Sequence, residues 1–143
     1  MQFMLIVKTS GDSGCGCESS EELSAAVGKY TQELRMAGAL VELSRLHPGT
    51  MGARVKLQGK DRIVIDGPFA ETKELIGGYW IIQTNSLDEA IAWAKRAPAP
   101  EGKPECEIEI RQFLEVENFF PVGLAGHAVE TVKEFAKANK QSQ

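Results

Sequence analysis

The sequence predicts an α+β domain of ferredoxin-like type: a βαββαβ antiparallel sheet with an inserted β-hairpin and an extra C-terminal helix. Three observations carry this. Two stretches have helical apolar spacing and a capping signal at the front. Four short runs have the apolar character of sheet strands. Between the second and third of those runs lies a pair of alternating segments around a Gly-containing turn. The order strand, helix, strand, strand, helix, strand puts both helices on one face of the sheet.

The first strand is "FMLIV", residues 3–7, a short apolar run suited to burial on both faces. "TSGDSGCGCESS", residues 9–20, is rich in Gly and Ser and reads as a loop. Ser19 and Glu22 have capping-box spacing at the head of the first helix, residues 21–37. Leu23, Ala26, Val27, Tyr30, Leu34 and Ala37 make its apolar stripe, and Gly38 is placed to close it in a left-handed cap. Residues 40–46 form the second strand. Ala53, Val55 and Leu57 then alternate with Arg54 and Lys56, and Ile63 and Ile65 with Arg62, around "QGKD". This predicts a hairpin over 53–65 with one solvated face.

"GYWIIQT", residues 78–84, is a strand apolar on both faces, and Gly77 and Gly78 ahead of it suggest a bulge or a close backbone approach. Ser86 and Glu89 repeat the capping box before a second helix striped by Leu87, Ala90, Ile91 and Ala94; Pro98 and Pro100 end it. In "ECEIEIRQF" Cys106, Ile108 and Ile110 alternate with three glutamates. Beyond Pro121 a small amphipathic helix presents Ala128, Val132 and Phe135. Residues 1–119 are expected to form one domain and 120–143 a tail.

At 143 residues the chain has the length of one domain and core enough to fold without staples. Its net charge of −4 and lack of a basic cluster argue against nucleic acid as a partner. No run approaches a membrane span, and the opening apolar run is too short for a signal segment, so no membrane partner is expected. Three cysteines without framework spacing fit a reducing cytoplasm. Cys15 and Cys17 lack the further ligands that zinc needs, so no metal is expected, and no P-loop, dinucleotide fingerprint or nucleophile elbow implies a cofactor.

The candidate site residues are few. Asp66, at a strand end before Gly67-Pro68, is the best-placed acid for a proton shuttle; the plainer reading has it accept bonds within its own turn. His47, at another strand end, is the natural base near neutrality, or a turn histidine. If the hairpin folds back, the two share one end of the sheet. Glu71 and Lys73 could hold polar groups of a substrate from a loop, or be a solvated charge run. Tyr30 is a binding candidate by its hydroxyl and a core residue by its position. A sheet whose second face lacks cover predicts a homodimer, with an unknown small-molecule ligand bound in a cleft.

Several stretches carry a family likeness. "IDGPFAETKELIGGYWIIQ" resembles the DGPF signature of the YCII-related family. "FMLIVK", "ELRMAGALVE", "LHP" with "GARVK", "DEAIAWAKRAP" and "EIEIRQFLEVENF" extend the resemblance over residues 2–119. It implies a ferredoxin-like domain of the dimeric α+β barrel group. DGPF-type members mostly lack an established activity, and some are encoded beside sigma factors. A dehydrochlorinase acting on a chlorinated hydroxyquinol belongs to the wider family. Compact members are thought to use a His and an Asp in a cleft. Here the first helix carries no histidine, and Tyr30 is its only residue with a comparable polar tip.

Overall fold

A computed structural model of the chain describes residues 1–9, 20–47, 52–67, 75–99 and 106–114. The chain divides into two compact units, Met1–Gln112 and Phe113–Gln143. The first contains all the elements that follow: β1 (Gln2–Thr9), α1 (Glu21–Met36), β2 (Leu40–Arg45), β3 (Ala53–Gln58), β4 (Asp61–Asp66), β5 (Leu75–Gln83), α2 (Leu87–Lys95) and β6 (Cys106–Gln112). The expected tail helix, with Ala128, Val132 and Phe135, lies outside the described residues, as do Cys15 and Cys17.

The principal sheet has the order β2-β5-β1-β6, all antiparallel. With the β3–β4 hairpin set aside, this is the ferredoxin-like arrangement the element order implies. Register decides which side chains meet the helices. Phe3 is opposite Ile82, Leu5 opposite Trp80 and Ile110, and Val7 opposite Ile108, so these residues share one face. On that face Phe3, Leu5, Ile82 and Trp80 form the core with Tyr30 and Leu34 of α1 and Ala90 of α2. Phe3, Leu5, Leu34 and Ile82 are fully buried, each a contribution of about 1.5–3 kcal/mol.

The helices begin and end for local reasons. The Ser20 hydroxyl caps α1 by accepting from Leu23 N–H at 3.1 Å, so the start lies one residue later than the capping-box spacing implied. Gly38 takes φ +67° just beyond the helix, as a left-handed cap requires. Ala26 and Ala37 turn out exposed, while Thr31 is buried with its hydroxyl donating to Val27 O at 2.8 Å. Ser86 caps α2 by accepting from Glu89 N–H at 3.2 Å, and the Glu89 carboxylate accepts in return from Asn85 N–H. A Glu33–Arg96 ion pair joins the two helices, and the Arg96 guanidinium lies 4.4 Å from the centre of the Trp93 ring.

Both readings of the double glycine hold. Between Val7 and Lys8 the β5 register skips from Gly78 to Ile76, which makes Gly77 the extra residue of a bulge. At Gly78 a Cβ would lie 2.7 Å from the Ser44 carbonyl oxygen, so only glycine lets β2 and β5 approach this closely. Val41 is a second extra residue, since Leu40 faces Ile82 and Glu42 faces Ile81.

The hairpin departs from expectation. Ala53, Val55 and Leu57 lie opposite Asp66, Val64 and Arg62, whereas Ile63 and Ile65 lie opposite Lys56 and Arg54. The apolar set of β3 and the apolar pair of β4 therefore occupy opposite faces. There is no single solvated face: all six residues of each strand are exposed. A two-residue turn joins the strands. Gly59 has φ +59° and no other residue type in the described chain has positive φ, the pattern of a type II′ turn. The Arg62 guanidinium ties this turn by donating to Gly59 O and Asp61 O, both at 2.9 Å.

Candidate functional site

The sheet has a second face. Strand alternation turns Met4, Ile6 and Lys8 of β1, Tyr79 and Ile81 of β5, Glu42 and Ser44 of β2, and Glu107, Glu109 and Arg111 of β6 away from the helices. Met4, Ile6 and Ile81 make an apolar strip along its centre, each partly exposed. Polar groups flank the strip on both sides. On the β2 side the Tyr79 hydroxyl donates to Glu42 Oε1 at 2.8 Å. On the β6 side Glu109 is held by Lys8 through one oxygen and by Arg111 Nη1 through the other at 3.1 Å. The Lys8 ammonium hydrogen-bonded to Glu109, with Arg111 beside it, holds that carboxyl below its ordinary range. An apolar floor between fixed polar groups of both signs suits a small molecule with an apolar body and a polar edge.

The ends of this sheet are unlike. β1 and β2 finish, and β5 and β6 begin, at the same end: Thr9 faces Leu75 and Cys106, and Arg45 faces Gly78. His47 follows β2 there, just after Leu46 N–H donates to Gly77 O at 3.0 Å. In the sequence the β3–β4 hairpin lies between the end of β2 and the start of β5, which are both at this end of the sheet. Asp66 lies at the base of the hairpin, opposite Ala53, and Gly67 N–H donates to Gly52 O at 3.1 Å.

The side chains of His47 and Asp66 are both exposed, and no hydrogen bond or ion pair joins either to another described residue. Glu71 and Lys73 lie outside the described residues. Tyr30 sits apart, in the core. Its hydroxyl donates to Trp93 O at 2.9 Å, its ring meets Trp80 edge-on with centroids 5.5 Å apart, and burial pushes its pKa up to about 12. Its role in the fold is to pin α2 against α1 and the sheet. Beneath it, the Trp80 indole N–H is buried without a hydrogen-bond partner among the described residues.

Sequence reading passed over Lys8, Glu42, Glu109 and Arg111. The signal was the alternation of β6, in which every second residue is charged while β1 is apolar on both faces. Charges beside an apolar strip are a polar flank, not merely a solvated surface. Among the described residues, no three His, Cys, Asp or Glu side chains are grouped to hold a metal. No described helix is long and apolar enough to cross a membrane.

A ferredoxin-like α+β domain with one helix-covered face and a second, amphipathic face that no described helix covers is thus the class of protein defined here. The family model of the YCII-related domain matches residues 1–114, and the chain belongs to that family. It is also similar to an uncharacterised protein of Rhizobium meliloti (strain 1021), with 43% identity over 74 residues. That match covers 52% of this chain and 56% of the relative's length.

Proposed function

We propose that the chain acts, as a cytoplasmic homodimer, on a small molecule with an apolar or aromatic body and a carboxylate or hydroxyl group. The chemistry is proton transfer by His47 and Asp66, without a cofactor, at the sheet end where β1 and β2 finish. The open face supplies the floor for the apolar body, and Glu71 and Lys73 supply polar contacts from the connection between β4 and β5. Tyr30 supports the site from beneath through its bond to Trp93 O. One observation carries the reading: β2, which His47 follows, ends and β5, which comes after the hairpin that bears Asp66, begins at one end of an amphipathic sheet face with polar flanks.

A panel of small aromatic carboxylates and phenols, screened by ligand-observed NMR, should yield binders that the protein converts or whose acidic C–H protons it exchanges. His47→Gln and Asp66→Asn should keep binding and lose turnover by roughly 100-fold or more, the scale of general acid–base catalysis. Unchanged rates in both variants would remove these residues from the chemistry.

A second reading is a non-catalytic dimeric module that senses a metabolite or a regulatory protein, a sigma factor being the candidate that the family resemblance suggests. Its support is that, among the described residues, no side chain orients His47 or Asp66, whereas catalytic pairs are commonly oriented. Binding without any turnover across the panel is its signature.

A further inference from the structure

We infer that the second face of the sheet is a site for a small aromatic zwitterion, which lies across the strands with its cationic group at Glu42 and its carboxylate at Arg111. The inference rests on the substrate class proposed above and deepens it: the apolar body and the carboxylate are kept, and a cationic end is added. Strand pairing sets the line. Glu42 is paired with Ile81, Ile81 with Met4 and Met4 with Arg111, so the four form one row from β2 through β5 and β1 to β6. The row reads acid, apolar, apolar, base. In the next row Ser44, Tyr79, Ile6 and Glu109 are paired in the same strand order.

Both charged ends are anchored from that next row. The Tyr79 hydroxyl donates to Glu42 Oε1, and Arg111 Nη1 donates to Glu109 Oε1. The anchors hold the two heads without using them up. Tyr79 is a neutral phenol and, among the described residues, the only hydrogen-bond partner of the Glu42 side chain, whose Oε2 stays free to accept. Glu109 meets Lys8 through its other oxygen, so Arg111 is not its sole counter-charge. Glu107 lies opposite Lys8, two rows away from Arg111. A guanidinium carries several N–H donors, of which Glu109 takes one, and it can hold a carboxylate in a two-bonded fork. A ligand with only a negative charge would set its apolar body against the Glu42 carboxylate, and one with only a positive charge would leave Arg111 unmet. A molecule with both charges answers both ends at once. Length agrees. Three strand spacings of about 4.8 Å separate the ends of the row by about 14 Å, and a hydrogen bond of about 2.8 Å at each end leaves roughly 8 Å, one ring with a substituent at each pole.

Isothermal titration calorimetry of the full chain with 4-(aminomethyl)benzoate tests this, with 4-methylbenzoate and benzylamine as probes that each lack one charge. The zwitterion should bind at least roughly 10-fold more tightly than either, the worth of one charge-assisted hydrogen bond. Glu42→Gln removes the charge and keeps an acceptor for Tyr79. It should weaken the zwitterion by about 10-fold and leave 4-methylbenzoate no weaker. Arg111→Gln should weaken both carboxylates by about 10-fold and spare benzylamine. Circular dichroism should be unchanged in both variants, because both side chains are exposed. An Arg111→Gln protein that misfolds is replaced by Arg111→Lys, which keeps the charge, loses the fork and should still weaken the carboxylates by roughly 3-fold or more. A zwitterion bound no more tightly than the two single-charge probes overturns the inference, as does binding indifferent to both substitutions, or no binding of any probe. His47 and Asp66 are untouched in every variant. Zwitterion binding without conversion therefore leaves this site standing and counts only against the catalytic reading. Conversion of a substrate without a cationic group, at a rate indifferent to Glu42→Gln, does the reverse.

Discussion

The β1–β5 pair and the β3–β4 hairpin are both antiparallel ribbons with alternating side chains, yet they come to opposite ends. In the first, Phe3, Leu5, Trp80 and Ile82 gather on one face and two helices close over them. In the second, Val55, Leu57 and Val64 gather on one face, Ile63 and Ile65 on the other, and all stay exposed. The difference lies in register more than in composition. A one-residue shift between the apolar sets sends them to opposite faces, and a ribbon that is apolar on both faces cannot be satisfied by packing on one side. The sheet buries its apolar side chains within one copy; the hairpin leaves its own exposed.

Substitutions can break or sharpen this contrast. The largest effect is expected at Leu34→Ala, which empties a fully buried site and should cost about 2–5 kcal/mol in urea unfolding. Gly78→Ala should cost about 1–3 kcal/mol, because the added methyl meets the backbone carbonyl of Ser44, which has no flexible end to yield.

Tyr30→Phe should cost about 1 kcal/mol through the lost bond to Trp93 O. It should also abolish a tyrosinate absorbance step at about pH 12. The raised pKa makes the neutral hydroxyl part of the folded state. Its contribution is present below about pH 10, the ordinary tyrosine value, and is lost as pH rises toward about 12. Glu109 has the opposite sign: its lowered pKa contributes at neutral pH, and that contribution fades as pH falls through the acid range. The smallest effect is expected in the hairpin. Leu57→Ala should leave the stability of a single copy within about 0.5 kcal/mol by the same urea assay, although leucine is replaced in both cases.

Most of the sheet and both helices were legible because their signals are local. Ser86 with Glu89, Gly38 after α1, and the alternation of Cys106, Ile108 and Ile110 each act within a few residues. The hairpin's position and turn were legible for the same reason. Its facing was not, because cross-strand register depends on where the turn closes, and "QGKD" allows more than one closure. The site was less legible than the fold. Tyr30 reads equally as a ligand contact or a core hydroxyl until Trp93 O is seen beside it. Lys8, Glu42, Glu109 and Arg111 come from three different strands, and only pairing across β6, β1, β5 and β2 turns them toward one face. His47 follows the end of β2 and Asp66 closes β4, each at a strand end.

Hydrogen exchange across a dilution series tests the central contrast most directly. Amides of β1 and β5 in the core, Leu5 and Trp80 among them, should keep their protection from high micromolar to nanomolar concentration. Amides of β3 and β4, whose side chains are all exposed, should exchange at least roughly 10-fold faster at every concentration. Equal protection of the two ribbons would contradict the account.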